Sequence, residues 1–226
     1  MVLLAGGANF PDTPLADGGK KRYHATVFGL PVGQRTWRAV GTLPEPAGEG
    51  VSVDTPRGIV CVGGAAGAAG ERVSAKAFLM TWDAAAGRVG IAALPDFPYP
   101  VKLAAAAARG EHVYVAGGWR DRPAESDVWM LDLSASAPAW QPLPALPTPR
   151  EQPVAAIQNM PGPRTALFVM GGMAAREAGL QMALEDGYAY DLAQGAEGRW
   201  TPVAPASPRG AGTVWPLIGA SAVASG

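Results

Sequence analysis

Short apolar runs recur along the chain, and four of them end in a Gly-Gly doublet. These runs occupy residues 2–5, 59–62, 113–116 and 167–170, and the doublets are Gly6-Gly7, Gly63-Gly64, Gly117-Gly118 and Gly171-Gly172. Runs of this length without a charged residue are typical of strands buried on both faces. The first glycines of successive doublets are 57, 54 and 54 residues apart. Such a period predicts one supersecondary unit used four times, with positive φ at the glycines that end each strand.

The rest of each unit predicts three further short strands. A polar or glycine-rich stretch follows the doublet, and a second strand with bulky apolar residues is predicted at residues 27–28, 78–80, 128–130 and 188–190. Asp83, Asp132 and Asp191 follow three of these strands, where aspartate favours a turn. A third strand is predicted near Trp37, Trp140 or Trp200, with Val89-Gly90-Ile91 in that place in the second unit. After a proline-marked turn, a fourth strand, such as residues 101–107 or 154–157, leads into the next doublet.

This succession of apolar strand, Gly-Gly, aromatic strand and tryptophan resembles the kelch repeat, whose unit is about 50 residues long. Regular short strands with Gly/Pro turns and no helical periodicity are typical of propeller blades. We therefore predict an all-β, kelch-type β-propeller with four repeat units of about 54 residues, as a single domain over residues 1–226. Packing within a blade is the favoured role for each tryptophan, because aromatic rings bury large apolar areas.

The ends of the repeat series leave two architectures open. The first unit lacks the strand that precedes its doublet strand, whereas residues 218–224 form an apolar run of that type. In one interpretation, residues 218–224 pair beside residues 2–5 and close a four-bladed ring, which removes exposed strand edges. In the other, the chain is part of a larger propeller, such as a six-bladed one, and self-associates through open blade edges.

The composition restricts the range of expected partners more than it restricts the range of possible folds. The 226 residues are 48% hydrophobic with a formal net charge of −1, so neither nucleic acid nor an anionic membrane is an expected partner. The alanine-rich run at 104–108 is far too short to cross a bilayer, and Met1 leads straight into the first strand without a signal sequence. The single cysteine, Cys61, is predicted to be a small core residue. The sequence does not predict a cellular compartment for the protein.

Several catalytic motifs are missing from the sequence. There is no Gly-x-Ser-x-Gly elbow and no phosphate loop. The two histidines, His24 and His112, lie far apart in the repeat phase, so they do not predict a shared metal site. We therefore expect no metal and no cofactor.

The linker after the first doublet carries the most specific signal. It contains Asn-Phe-Pro-Asp at residues 9–12 and Gly-Gly-Lys-Lys at residues 18–21. With residues 48–53, 113–118 and 149–156, these segments resemble the N-acetylneuraminate epimerase (sialic acid mutarotase) family, particularly its circularly permuted branch. The resemblance runs over essentially the whole chain. It implies a six-bladed kelch propeller that speeds interconversion of the α and β anomers of sialic acid.

The same resemblance leaves the catalytic residues unassigned. The family's proposed pair is a Glu and an Arg six residues apart in a Gly-Glu-…-Pro-Gly-x-Arg loop after a blade strand. This sequence contains no such segment, since Arg176-Glu177 has the wrong order and spacing and Glu71-Arg72 also fails. By the order of the repeats, the segment is expected beyond Gly226. No catalytic residue is therefore carried over.

Candidate binding residues follow from the chemistry of anomer exchange. Opening and reclosing the ring needs a base at the anomeric hydroxyl and an acid at the ring oxygen, and the sugar carboxylate favours Arg or Lys. In a propeller, such groups project from loops at one mouth of the central channel. The predicted substrate-binding residues in such loops are Asn9, Lys20, Lys21, Glu49, Arg150 and Glu151, with Asp12, Arg120, Arg176 and Glu177 as further candidates.

Each candidate also has a structural interpretation. Asp12 suits a turn, and the basic run at 20–22 suits a solvated loop. Arg150 and Glu151 suit a local ion pair or an exposed strand start, and Glu49 suits a similar junction. Three functions therefore stay open: a mutarotase-like isomerase acting on sialic acid or a related sugar, a non-catalytic kelch module that binds protein or glycan, and an inactive remnant of a six-bladed parent.

Overall fold

The computed structural model describes residues 1–121, 124–175 and 181–203. Regular structure in these ranges is β-strand apart from two 3-10 helices, Leu15–Asp17 and Leu192–Glu197. None of the described helices is long and apolar enough to cross a membrane. The described residues divide into two compact units, one of residues 1–52 with 57–102 and the other of residues 53–56 with the described residues from 103 onward.

The first repeat forms a three-stranded antiparallel sheet. Strand β1 (Val2–Ala5) precedes a linker in which β2 (Ala8–Asn9) and β3 (Arg22–Tyr23) pair with each other. Strands β4 (Thr26–Leu30) and β5 (Arg38–Thr42) complete the sheet in the order β1-β4-β5. In the described residues β1 is therefore an edge strand. This agrees with the sequence prediction that the first repeat lacks a strand before its doublet strand.

The second repeat forms a four-stranded sheet next to a smaller one. Its strands are β6 (Ala47–Gly48), β7 (Val51–Thr55), β8 (Gly58–Val62), β9 (Ala65–Ala66), β10 (Arg72–Val73), β11 (Ala77–Asp83) and β12 (Arg88–Ala93). The large sheet has the order β12-β11-β8-β7, and the small one has the order β10-β9-β6. Consecutive strands are neighbours in the large sheet apart from the short β9–β10 excursion, as expected for a blade-like meander.

The second compact unit contains the third and fourth repeats, and each of them forms a four-stranded antiparallel sheet. Its strands are β13 (Ala105–Arg109), β14 (His112–Ala116), β15 (Val128–Asp132), β16 (Trp140–Leu143), β17 (Val154–Asn159), β18 (Thr165–Met170), β19 (Met173–Ala175), β20 (Gln181–Ala183), β21 (Gly187–Asp191) and β22 (Trp200–Val203). The orders are β13-β14-β15-β16 and β17-β18-β21-β22, while β19 and β20 form a separate pair. The predicted all-β class is thus confirmed in the described residues, and the second, third and fourth repeats each form a four-stranded sheet.

The Gly-Gly doublets end the strands β1, β8, β14 and β18, and all eight of their glycines have positive φ. The reason for glycine is clearest at Gly117, where φ is +65° and an added Cβ would lie 2.5 Å from the carbonyl oxygen of Arg150. The next amide, Gly118 N–H, donates a 2.9 Å hydrogen bond to that carbonyl. Gly7 and Gly64 donate equivalent 2.8 Å bonds to Ala47 and Val101. The doublet therefore fixes the segment that enters the next repeat.

Each unit has its own apolar core. In the first, Val27, Val40, Leu43 and Met80 are buried together, and Cys61 packs against them from β8. Burial raises the pKa of the Cys61 thiol to about 11, which agrees with its predicted core role. In the second unit, Leu167, Val169 and Tyr190 are among the residues that fill the space between the sheets of the third and fourth repeats.

Local predictions mostly agree with the structure. Asp83, Asp132 and Asp191 accept hydrogen bonds from backbone amides two residues later, which makes them the turn residues expected. The strand predicted at 101–107 begins only at Ala105, because Leu103 has a φ of +55° and interrupts extended pairing. Residues 218–224 lie outside the described part of the chain.

Candidate functional site

Three consecutive repeats place a non-glycine residue in the left-handed region at the same point. Glu49, Leu103 and Gln152 have φ values of 61°, 55° and 53°. The second glycine of each doublet donates its amide hydrogen bond to Ala47, Val101 or Arg150. Each left-handed residue follows that acceptor by two positions. This conformation costs roughly 1–3 kcal/mol for a side chain other than glycine. It turns the chain sharply just before the first strand of a sheet.

Glu49 gathers two lysines and a tyrosine around its carboxylate. We define Lys21, Tyr23, Glu49 and Lys102 as the Glu49 cluster. Lys21 Nζ donates a short hydrogen bond to Oε1 of Glu49, and the hydroxyl of Tyr23 donates to the same oxygen at 2.6 Å. Lys102 Nζ donates to Oε2 at 3.0 Å. Lys21 Nζ also lies 4.9 Å from the centre of the Tyr23 ring, within cation–π range.

The cluster keeps Glu49 ionised at all physiological pH values. Burial alone would raise the pKa of its carboxyl, but hydrogen bonds from Lys21, Tyr23 and Lys102 outweigh burial and lower the pKa to about 2. The bond to Glu49, followed by Tyr23, raises the pKa of Lys21. The cluster therefore carries two ammonium groups and one carboxylate, a net charge of +1.

The backbone around Tyr23 fixes the cluster in place. Its amide donates a 2.9 Å hydrogen bond to the carbonyl of Ala68. A Cβ at Gly48 would lie 2.9 Å from Cε1 of the Tyr23 ring, and a Cβ at Gly70 would also overlap that ring. The side chains of Lys21, Glu49 and Lys102 nevertheless remain 39%, 21% and 24% exposed, so a dissolved ligand can reach them.

A largely apolar cavity of about 320 Å³ adjoins the cluster within the first unit. Leu3, Leu43, Phe78 and Met80 contribute to its wall, and Glu49 is its charged lining residue. The surface next to the cluster thus combines an apolar recess with a charged rim.

Of the predicted site residues, Lys21 and Glu49 are brought into direct contact. Asn9 instead contacts His24, with 2.8 Å between Asn9 Oδ1 and His24 Nε2, and Lys20 is exposed on the linker. Asp12 forms a 3.2 Å ion pair with Arg22 at the surface. Sequence reasoning missed Tyr23 and Lys102. The repeat period could have indicated Lys102, since it lies next to Leu103, the counterpart of Glu49 one period later.

Arg150 and Glu151 lie in the second unit, and both side chains are buried. Arg150 is fully buried: its Nη1 donates to the carbonyl of Gly171 at 2.9 Å, and its Nη2 donates to Asp186 at 3.1 Å. Glu151 accepts a short hydrogen bond from Gln181 and exchanges backbone hydrogen bonds with Met173. The exposed strand start considered for this pair is thus not what the structure has, and a role in binding substrate stays a prediction.

The remaining candidates are Arg120, Arg176 and Glu177. Arg120 Nε lies 3.3 Å from Oε1 of the buried Glu125. Arg176 and Glu177 lie outside the described residues. Across residues 1–121, 124–175 and 181–203, no group of three or more His, Cys, Asp or Glu side chains could hold a metal ion.

Sequence comparison agrees with the repeat architecture. A family model for the kelch motif matches residues 100–147, a stretch that contains all four strands from β13 to β16. The solved structure of YjhT is similar with a TM-score of 0.70 at 14% identity, covering 90% of this chain and 67% of that one. The fold and the repeats together define a kelch-type β-propeller protein.

Curated proteins of one family are similar to part of this chain. The N-acetylneuraminate epimerases of Yersinia pestis (strain Pestoides F) and Yersinia pseudotuberculosis serotype O:1b (strain IP 31758) are each 39% identical to it over 72 residues. The matched region is 28% of this chain and 18% of each relative, so the match spans less than a fifth of those proteins. These findings confirm the resemblance to the N-acetylneuraminate epimerase family.

Proposed function

We propose that this chain acts on N-acetylneuraminate as a mutarotase-like isomerase and binds the sugar carboxylate at the Glu49 cluster. The observation that carries the proposal is the pair of lysines held on opposite oxygens of Glu49 in a solvent-accessible cluster. The names of the curated relatives supply the substrate class. Interconversion of anomers is a ring-opening and ring-closing reaction that needs no cofactor.

In this proposal Lys21 and Lys102 attract the carboxylate of the sugar, and Glu49 positions both ammonium groups. A carboxyl with a pKa of about 2 is a weak base at neutral pH, so Glu49 is poorly suited to take a proton from the anomeric hydroxyl. Its role is to hold the lysines in one geometry. The hydroxyl of Tyr23 is the neutral donor of the cluster and can hydrogen-bond a sugar oxygen.

The test follows anomer exchange of N-acetylneuraminate by NMR. We expect the chain to exceed the rate in buffer, and Lys21→Gln and Lys102→Gln each to raise KM by roughly tenfold, as for loss of a hydrogen bond to a charged group. Lys76→Gln is the matched control, because Lys76 pairs with Asp96 and both side chains are well exposed. Equal effects of all three substitutions would contradict the assigned site.

A second candidate function is sugar binding without catalysis, which is favoured by the missing Gly-Glu-…-Pro-Gly-x-Arg segment in this sequence. Saturation-transfer NMR with N-acetylneuraminate separates the two functions. Binding together with a buffer-like exchange rate would leave only this second function. Absence of both binding and exchange would reject both.

A further inference from the structure

A second cleft lies in the other unit, between the sheets of the third and fourth repeats. It has a volume of about 330 Å³, and its lining includes Arg109, His112, Tyr114 and Thr165. His112 begins β14 and Thr165 begins β18, whereas the doublets follow the last residues of these strands. The cleft therefore opens at the strand ends opposite to those that carry the Gly-Gly doublets.

Strand register brings three polar groups to one side of the third-repeat sheet. Arg109 of β13 lies directly opposite His112 of β14, so their side chains share a face. Tyr114 follows His112 by two residues and points to the same face, since side chains alternate along a strand. The guanidinium, the imidazole and the phenol thus converge on the cleft.

Tyr114 lines the cleft with a largely buried ring. The residue is only 8% exposed, and no hydrogen bond to its hydroxyl is formed within residues 1–121, 124–175 and 181–203. The hydroxyl is therefore available to a ligand in the cleft. Burial raises the pKa of this phenol, which keeps its proton available as a hydrogen-bond donor at neutral pH.

The charges beside the cleft leave Arg109 available. The carboxylate nearest to His112 is Asp132, with 3.8 Å between Nε2 and Oδ2. Asp132 is already engaged by the amide and hydroxyl of Ser134 at 2.8 and 2.6 Å. Arg109 forms no ion pair within the described residues, and its side chain is exposed.

We propose that this cleft binds a small oxyanion, a carboxylate or a phosphate group. Arg109 supplies the charge and two parallel donors, which match the geometry of either oxyanion. The hydroxyl of Tyr114 donates a hydrogen bond from the floor of the cleft, and His112 contributes a ring nitrogen at the rim. The site lies in a different unit from the Glu49 cluster and does not depend on the function proposed there.

The test titrates the full chain with inorganic phosphate and, separately, with acetate, at constant ionic strength set with sodium chloride. We expect saturable shifts of the backbone amides of residues 109, 112, 114 and 165 with at least one anion in the millimolar range. Saturation by phosphate alone, acetate alone or both supports an oxyanion site and identifies its source. Absence of saturable shifts with either anion would overturn the proposal.

Three variants separate a built site from general surface charge. Arg109→Gln should weaken binding at least tenfold, and Tyr114→Phe should weaken it by roughly 3- to 10-fold through loss of one hydrogen bond. Arg88→Gln, at an exposed arginine of β12, should leave binding unchanged. Undiminished amide shifts in Arg109→Gln would reject the site. The Arg109 side chain is exposed, so its replacement tests the site even if Tyr114→Phe fails to fold.

Discussion

Two kinds of residue hold unusual backbone conformations in this protein for opposite reasons. At the doublets, glycine is needed because the backbone of the next repeat occupies the space where a side chain would stand. At Glu49 the left-handed conformation is imposed on a side chain, which then meets both lysines. Sequence spacing predicted the first kind. It could not predict the second, because Glu49, Leu103 and Gln152 share no residue type that marks a left-handed conformation.

Gly117→Ala should lower the free energy of unfolding by more than the cost of holding alanine at a positive φ. The new Cβ would lie 2.5 Å from the Arg150 carbonyl oxygen. Gly110→Ala is a matched control with a φ of +57° and nothing within 4 Å of its Cβ. We expect about 1 kcal/mol for the control and at least about 2 kcal/mol more for Gly117→Ala, measured by urea unfolding. Equal losses would contradict the close approach.

Glu49→Gln should show a stability defect that depends on pH. The folded-state pKa of about 2 lies below the ordinary value of 4.5, so the stabilisation is complete above pH 4.5 and is lost as pH falls towards 2. We expect the variant to be less stable than wild type by roughly 1–2 kcal/mol at pH 7 and nearly equal to it at pH 2.5. Urea midpoints at both pH values measure the difference.

Asp12→Asn is the control for this comparison. The Asp12 side chain is 75% exposed in a surface ion pair, so its replacement should change stability little at either pH. A pH-independent defect in Glu49→Gln would show that the lost contribution is packing rather than charge.

Among the strands, the sequence predicted long elements well and short ones poorly. Strands β4, β11, β15 and β21 lie where bulky apolar residues indicated them. The two-residue strands β2, β3, β6, β9 and β10 were missed, because so few residues cannot display an alternating pattern. These short pairs belong to the loops near the doublets, so the same limitation hid Tyr23, the last residue of β3.

The tryptophan at the start of the outer strand links neighbouring sheets. Trp200 opens β22, and its Nε1–H donates a 2.8 Å hydrogen bond to the carbonyl of Pro144, directly after β16. Its ring centre lies 5.1 Å from that of Tyr190. For this residue the predicted packing role is what the structure has.

Trp200→Phe should therefore destabilise the protein by about 1–2 kcal/mol, since it removes the hydrogen bond and part of the ring contact. Trp37→Phe is the control, because that side chain is 42% exposed, and it should cost less than about 0.5 kcal/mol. Thermal unfolding of both variants provides the measurement. A larger loss from Trp37 than from Trp200 would contradict the assignment.

At the scale of the molecule, repeat phase predicted the class of fold but not the grouping of its contacts. The chain has two compact units, each with a buried core, while a single domain over residues 1–226 stays a prediction. Proteins of this size often open locally in cooperative segments. Sequence periodicity treats all repeats alike and so carries no information on where such a segment ends.

Hydrogen exchange of Gly63→Ala and Gly117→Ala tests these units. A Cβ at Gly63 would overlap the Val101 carbonyl within the first unit, and one at Gly117 would overlap Arg150 within the second. We expect amide protection to fall mainly in residues 1–52 and 57–102 for the first variant, and mainly in residues 103–121, 124–175 and 181–203 for the second. Equal loss throughout the chain in either variant would indicate one cooperative unit.

The three left-handed residues Glu49, Leu103 and Gln152 make the repeat a source of new chemistry during evolution. One backbone bend recurs in three repeats, and each repeat displays a different side chain there. Because the bend is already stabilised by the doublet hydrogen bonds, exchanging the side chain need not disturb the blade around it. A single substitution such as Gln152→Glu would place a carboxylate on the equivalent bend of another repeat, so the chemistry displayed at these bends is easier to change than the architecture that carries them.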